Sequence, residues 1–132
     1  MRGILLFLLI VLASCSGNKK YSERQYQKNV KDAFIYFFKV QAYCSCVQHA
    51  YANKEIVKLQ WEEDLMGSYD GLAYPEVLKA IDSLGRAEAS KIKPSEYADF
   101  EGKKRITAAC LDFYTGKTLD SVATAMYKKH EE

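Results

Sequence analysis

The sequence predicts an all-α protein, a small compact bundle of about five helices that follows a lipoprotein signal peptide. Apolar residues recur at helical spacing rather than in the alternating pattern of strands. The few glycine and proline residues fall between the periodic segments. The chain that remains after the signal is large enough to bury a core but too small for two ordinary domains, so we expect one domain.

The N-terminus has the features of a lipoprotein signal peptide over residues 1–14. A short apolar run, Ile4–Leu12, follows Arg2 and leads into Leu12-Ala13-Ser14-Cys15. The run is too short to span a bilayer, and the small residues before Cys15 suit a cleavage site. We therefore predict that Cys15 becomes the acylated, palmitate-carrying first residue of the mature protein. The alternative is an ordinary cleaved signal that ends near a cysteine by chance.

The mature chain divides into a tether and a helical domain. Residues 15–28 are polar and predict a flexible tether between the lipid anchor and the domain, which then occupies residues 29–132. The first helix of the domain is expected over about Val30–Ala52. A second is suggested over Glu55–Met66, before the pattern breaks at glycine. The broad apolar face of the first helix contains Val30, Ala33, Phe34, Phe37, Phe38, Gln41, Cys44 and Gln48.

Three further helices are expected in the second half of the chain. Pro75 suits the first position of a helix that ends between Gly85 and Lys93. The next helix spans Lys103–Tyr114, and Gly116 after it occupies a position where a left-handed cap is common. Thr118 is placed to cap the last helix. Between the third and fourth helices, the stretch that follows Pro94 lacks any clear period and is the best candidate for a loop.

Composition and motifs argue against several function classes. The 19 basic and 17 acidic residues give no strong field, and no run of like charge exceeds Lys103-Lys104-Arg105, so nucleic acid is not an expected partner. The two histidines, His49 and His130, lie outside any zinc-protease motif, and no nucleophile elbow or phosphate-binding glycine loop is present. We expect no catalytic residue, metal site or cofactor. A nucleophile formed by Cys46 with His49 is a weaker alternative.

Three cysteines remain once Cys15 is assigned to the lipid, and an exported protein favours a disulfide. Cys110 is the expected common partner, with Cys44 and Cys46 as the alternatives. Residues two apart on a helix point in nearly opposite directions, and the apolar face favours Cys44. A Cys-x-Cys metal or redox site is a further alternative, but it lacks the usual Cys-x-x-Cys spacing.

Several short motifs occur in an order that suggests a family. They are Cys46-Val47-Gln48-His49-Ala50-Tyr51, Pro75-Glu76 with Ala80-Ile81-Asp82-Ser83-Leu84, and Cys110-Leu111-Asp112-Phe113-Tyr114 followed by Gly116-Lys117-Thr118-Leu119-Asp120. In this arrangement the chain resembles the type VI secretion amidase immunity family, whose members are small helical envelope proteins. The resemblance covers about Val30 to Tyr127, most of the mature domain. It implies a disulfide between Cys46 and Cys110.

The resemblance also implies a function and a site. Family members bind a peptidoglycan amidase, a papain-like cysteine hydrolase, and act as homodimers that push a protruding loop into its cleft. The corresponding loop here is Pro94–Gly102. Its aromatic residues can fill a pocket and its polar residues can hydrogen-bond to the cleft. The candidate effector-binding residues are Ser95, Glu96, Tyr97, Asp99 and Phe100.

The remaining expectations concern the location of the protein and the alternatives for its binding surface and function. An inhibitor of a wall amidase must face the periplasm, and Ser16 after the lipidated cysteine favours anchoring in the outer membrane. A solvent-exposed connection without a binding role is the alternative for the loop. A second candidate surface spans Ser68–Tyr74, with a similar mixture of aromatic and polar residues. The alternative function is a non-enzymatic envelope lipoprotein that serves as an assembly or scaffolding subunit.

Overall fold

The protein is helical, as its sequence predicts. The computed structural model describes residues 2–52, 54–63 and 69–131, with side chains from Tyr21 onward except those of Lys54 and Trp61. Within these residues lie five α-helices: α1 Arg2–Tyr51, α2 Lys54–Glu63, α3 Pro75–Ala89, α4 Ile106–Thr115 and α5 Lys117–Glu131. Two short 3-10 turns, Asp70–Leu72 and Ala98–Phe100, precede α3 and α4. The all-α prediction is confirmed.

Helix α1 is longer than the sequence predicts, because it includes residues 15–28, for which we expected a flexible tether. The segment has no proline, and Gly17 is its one glycine. Lysine, arginine, glutamate and glutamine, which occur along it, are all good helix formers. Near the end of the segment, Gln25 Nε2 donates a hydrogen bond to Asn29 Oδ1 at 3.0 Å. Polarity alone therefore did not distinguish a solvated helix from a tether.

Contacts within the chain divide it into two compact units, one up to Ala33 and the other from Phe34 onward. In the first unit, Tyr21 and Tyr26 are exposed. The second unit contains the rest of α1, the four shorter helices and the predicted binding loop. No helix in the described part of the chain is both long enough and apolar enough to cross a membrane.

The core of the second unit forms where α1 packs against α3, α4 and α5. The ring of Phe34 lies 5.4 Å from that of Tyr127 on α5. Near the edge of this contact, Lys39 Nζ lies 2.6 Å from Asp120 Oδ1. Burying an aliphatic or aromatic side chain stabilises a fold by about 1.5–3 kcal/mol. The fully buried side chains with the largest volumes are those of Phe38, Leu119, Val77, Cys46 and Cys110.

Helices α1 and α3 approach each other closely at Gly85. A Cβ atom at this position would lie 2.3 Å from Ser45 Oγ and 2.7 Å from the backbone nitrogen of Cys46. Ser45 Oγ in turn lies 3.5 Å from the carbonyl oxygen of Asp82. Gly85 is therefore needed for close packing of the two helices. It does not end α3, which continues to Ala89.

The start of α4 differs from the predicted helix bound, and the expected end of the second helix is not among the described residues. Helix α4 begins at Ile106 rather than Lys103, because the Lys103 N–H donates to the Phe100 carbonyl at 3.0 Å and belongs to the preceding loop. The expected end of the second helix at Met66, and the break at Gly67, lie outside the described residues.

The connection between α4 and α5 also differs from expectation. Gly116 has φ −72° and ψ 140°, which is extended backbone rather than the left-handed cap that the sequence predicted. Helix α5 begins at the next residue, Lys117, so Thr118 lies inside the helix instead of capping it. A Cβ on Gly116 would lie 3.2 Å from the carbonyl oxygen of Phe113. A one-residue connection thus leaves little room for a side chain.

One disulfide joins α1 to α4. The Sγ atoms of Cys46 and Cys110 are 2.07 Å apart and their Cα atoms 5.8 Å apart, which is the pairing implied by the family resemblance. Cys44 is buried as well, because α1 is covered on more than one side. The apolar face that favoured Cys44 was therefore a poor guide to the bridge. Cys46 lies on the side that packs with Ile106 and Cys110 of α4.

Candidate binding loop

The connection between α3 and α4 includes a closed, exposed segment, residues 94–105, which we call the α3–α4 loop. The Ser95 N–H donates to the Lys103 carbonyl at 2.8 Å, so the two ends of the loop are held together. Between them, Ala98–Phe100 forms a 3-10 turn. Gly102 has φ +76°, in the left-handed region that glycine adopts without a steric penalty. The loop therefore has a defined shape although it contains no α-helix and no full β-strand.

All five residues predicted to bind an effector lie on this loop. Tyr97 and Phe100 are both exposed, with 79% and 57% of their surface accessible. Glu96 and Asp99 are also exposed, whereas Ser95 is half-buried. Ser95 Oγ accepts a hydrogen bond from the Tyr97 N–H at 3.2 Å, which fixes the backbone where the loop leaves its base.

Charge is segregated along the loop and the residue before it. The acidic residues lie between the two ends of the segment, and the basic residues lie at its ends. The acidic residues are Glu96, Asp99 and Glu101, and the basic residues are Lys93, Lys103, Lys104 and Arg105. None of these seven side chains forms an ion pair with another described residue. The Nζ atom of Lys103 lies 5.8 Å from the centre of the Phe100 ring. The loop thus presents unpaired charge of both signs beside exposed aromatic rings.

A cavity of about 610 Å³ opens at the foot of the loop. Its walls come from both ends of the loop, which the Ser95 to Lys103 hydrogen bond holds together. The lining residues are Lys93, Pro94, Ser95, Glu96, Tyr97 and Arg105. The cavity combines two cations, one carboxylate and one exposed aromatic ring.

The aromatic rings of the second candidate surface, Ser68–Tyr74, pack against other rings of the protein. The first residue of this surface lies outside the described part of the chain. The ring of Tyr69 stacks on that of Phe37 at 4.9 Å. Tyr74 is partly exposed, but one face of its ring stacks on His130 at 4.4 Å. The α3–α4 loop is therefore the better candidate, because its aromatic rings have no such packing.

A cluster of titratable groups that the sequence did not predict lies where α1 meets α3. His49 Nε2 lies 2.7 Å from Asp82 Oδ1, and Arg86 donates to Asp82 Oδ2 at 2.9 Å. The hydrogen bond to His49, assisted by Arg86, holds the pKa of Asp82 below its ordinary value. The spacing of Asp82 and Arg86, one helical turn apart, could have indicated their pairing. The partnership with His49 depends on how the two helices cross.

The alternative of a nucleophile formed by Cys46 and His49 is not supported by the geometry. The Sγ of Cys46 is bonded to that of Cys110, so it offers no thiolate. The imidazole of His49 is directed at Asp82 instead. Within the described residues, no three histidine, cysteine or acidic side chains are arranged to hold a metal ion.

The other histidine lies between the end of α5 and the start of α3. His130 Nε2 is buried, 3.7 Å from Glu76 Oε1, and makes no hydrogen bond with the described residues. Its ring is covered by the Tyr74 ring. His130, in the last turn of α5, therefore packs against the residue that precedes α3.

The remaining predicted site, Cys15, lies within α1, and its side chain is outside those described. Lipidation at Cys15 therefore stays a prediction.

Comparisons with models of protein families, with curated proteins and with solved structures find no match for this chain.

Proposed function

We propose that this protein is an envelope lipoprotein that binds and inhibits a peptidoglycan-cleaving cysteine amidase effector of type VI secretion. It would thereby protect the cell from its own toxin or that of a sibling. The observation that carries the proposal is the pair of aromatic side chains, Tyr97 and Phe100, exposed on a closed loop. Aromatic side chains of this kind are typical anchors at protein interfaces, where they fill pockets on the partner.

Inhibition would occur by occlusion of the amidase cleft. The hydrogen bond between Ser95 and Lys103 closes the base of the loop before binding, so less conformational entropy is lost when the complex forms. An aromatic ring from the tip would enter the cleft and exclude water. Glu96 and Asp99 carry no internal ion pair and are available to accept hydrogen bonds from donors around the amidase's cysteine and histidine. No chemical step on this chain is required.

The location and assembly in this proposal follow from the signal and the resemblance. Acylation of Cys15 anchors the protein to a membrane, with Ser16 favouring the outer membrane and the domain facing the periplasm. The protein acts as a homodimer and uses no cofactor. Binding, rather than catalysis, is its activity.

The test is an amidase assay with the full chain in a non-ionic detergent. Increasing amounts of the chain are added to a purified cysteine amidase effector, preferably one encoded beside this gene, with isolated peptidoglycan as substrate. We expect activity to fall in proportion to the added protein, with an end point at equimolar amounts. Light scattering of the free chain measures whether it is a dimer.

Two variants assign inhibition to the loop. Tyr97→Ala combined with Phe100→Ala should weaken binding by more than about 2 kcal/mol, while helical content stays unchanged. Tyr21→Ala is a matched control, since Tyr21 is 72% exposed but lies on α1. Full inhibition by the loop variant would place the inhibitory surface elsewhere. Failure of the unaltered protein to bind or inhibit the amidase would favour an assembly or scaffolding subunit.

A further inference from the structure

We propose that the cavity at the foot of the α3–α4 loop is a carboxylate-binding pocket that accepts an acidic side chain of a partner protein. The pocket shares Ser95, Glu96 and Tyr97 with the surface that the proposed inhibition uses, and it adds Lys93 and Arg105. If the partner is the amidase, the pocket would hold an acidic residue on the rim of its cleft. The pocket itself is inferred from its own residues and does not depend on that identity.

The charge of the pocket supports an anionic ligand. Lys93 and Arg105 line the cavity from the two ends of the loop, and both are exposed without an ion pair to any described residue. Glu96 is the acidic residue in the lining. Two cations against one carboxylate leave one positive charge, which a single carboxylate neutralises. A phosphate dianion would leave the filled pocket with a net negative charge, so the charge balance matches a carboxylate.

The donors in the pocket suit a carboxylate group. The guanidinium of Arg105 presents parallel N–H groups that match the two oxygens of a carboxylate, and Lys93 adds a second charged donor. Ser95 Oγ accepts a hydrogen bond from the Tyr97 N–H, so its own O–H remains available to donate. The exposed ring of Tyr97 provides an apolar wall for the methylene groups of an acidic side chain.

The size and stiffness of the base also favour binding by a side chain from outside. The cavity has a volume of about 610 Å³ and opens to solvent, so a side chain from outside can enter it. The bridge between Pro94 and Lys104, together with the Ser95 to Lys103 hydrogen bond, fixes the backbone that carries both cations. Little backbone ordering would therefore be needed on binding.

The test titrates the full chain, in a non-ionic detergent at constant ionic strength, with two capped tripeptides, acetyl-Gly-Glu-Gly-amide and acetyl-Gly-Gln-Gly-amide. Binding is followed by nuclear magnetic resonance through the backbone amides of the lining residues. We expect the glutamate peptide to shift these signals and to bind about fivefold more tightly than the glutamine peptide. Lys93→Gln with Arg105→Gln should abolish that preference, and Lys93→Gln alone should reduce it.

The control is Lys128→Gln with Lys129→Gln, which removes the same charge from exposed positions on α5 and should leave binding unchanged. Equal binding of the two peptides, or an equal loss in the control variant, would overturn the proposal. Inorganic phosphate is titrated separately, and tighter binding of phosphate than of the glutamate peptide would also overturn it. Because the peptide titration contains no amidase, a negative result in it contradicts the pocket but not the proposed inhibition. A negative result in the inhibition assay likewise contradicts the proposed inhibition but not the pocket.

Discussion

Reduction of the disulfide between Cys46 and Cys110 should destabilise the protein by an amount that the separation of the two residues determines. The bridge spans a sequence separation of 64 residues. In the chain-entropy model, closing such a loop removes about 14 cal/mol/K from the unfolded state, or about 4 kcal/mol at 25 °C. Small domains have a total unfolding free energy of about 5–15 kcal/mol, so the loss should be large.

The measurement is urea unfolding followed by circular dichroism, with and without dithiothreitol. For a denaturant slope of about 2 kcal/mol per molar, the loss corresponds to a fall of about 2 M in the midpoint. Cys44→Ala should retain this response to reduction, because Cys44 is outside the bridge. Cys46→Ala should unfold at a low urea concentration under both conditions. Comparison of oxidised and reduced forms of one chain avoids the cavity that an alanine creates.

Either of two results would refute this reasoning. An unchanged midpoint after complete reduction, checked by thiol titration, would mean that the bridge does not stabilise the folded domain. Loss of the reductant response in Cys44→Ala, with retention in Cys46→Ala, would mean that the other cysteine is bridged.

Three further perturbations test the packing and electrostatics of the domain. Gly85→Ala should lower the unfolding free energy by about 1–2 kcal/mol, because the cost of overpacking at the α1–α3 contact exceeds the gain in helix propensity. An unchanged urea midpoint would contradict this. The pKa of Asp82 is lowered by its pairing with His49 and Arg86, so this pairing stabilises the fold above the unfolded-state pKa of about 3.9, and the stabilisation is lost as the pH falls through the lower folded value. Asp82→Asn should therefore make the unfolding free energy, measured by urea unfolding, less dependent on pH in this acidic range. Burial and the neighbouring Glu131 raise the pKa of Tyr127 to about 12, so the unfolding free energy should fall between about pH 10 and 12. Tyr127→Phe should remove that loss, and it should also remove the tyrosine that ionises at the highest pH when tyrosinate absorbance is followed at 295 nm.

Much of the fold follows from local patterns that the sequence displays directly. Helical spacing predicts the all-α class, and Pro75 marks the start of α3 because its fixed φ and missing N–H suit the first helical position. Pro94 and the aperiodic stretch after it predict where the loop lies. Helix bounds are less predictable, since Lys103 could extend α4 by pattern but instead hydrogen-bonds within the loop.

The candidate site divides in the same way. The residues at the loop tip could be named in advance, because an aperiodic, aromatic and polar segment between helices predicts an exposed connection. The cavity at the foot of the loop could not, since Lys93 and Arg105 line one cavity only when the loop is closed. Likewise, Tyr69 and Tyr97 are both aromatic residues outside α-helices, and only tertiary contacts show that Tyr69 stacks on Phe37 while Tyr97 is exposed.

The sequence by itself thus determined the properties that depend on neighbours along the chain: the helical class, the start of α3 and the position of the loop. Only the tertiary structure decided which cysteine lies opposite Cys110, why Gly85 is needed inside a helix and which acid pairs with His49. Each of these features joins residues that are tens of positions apart. Their contacts depend on helix rotation and crossing, which a local periodicity leaves undefined.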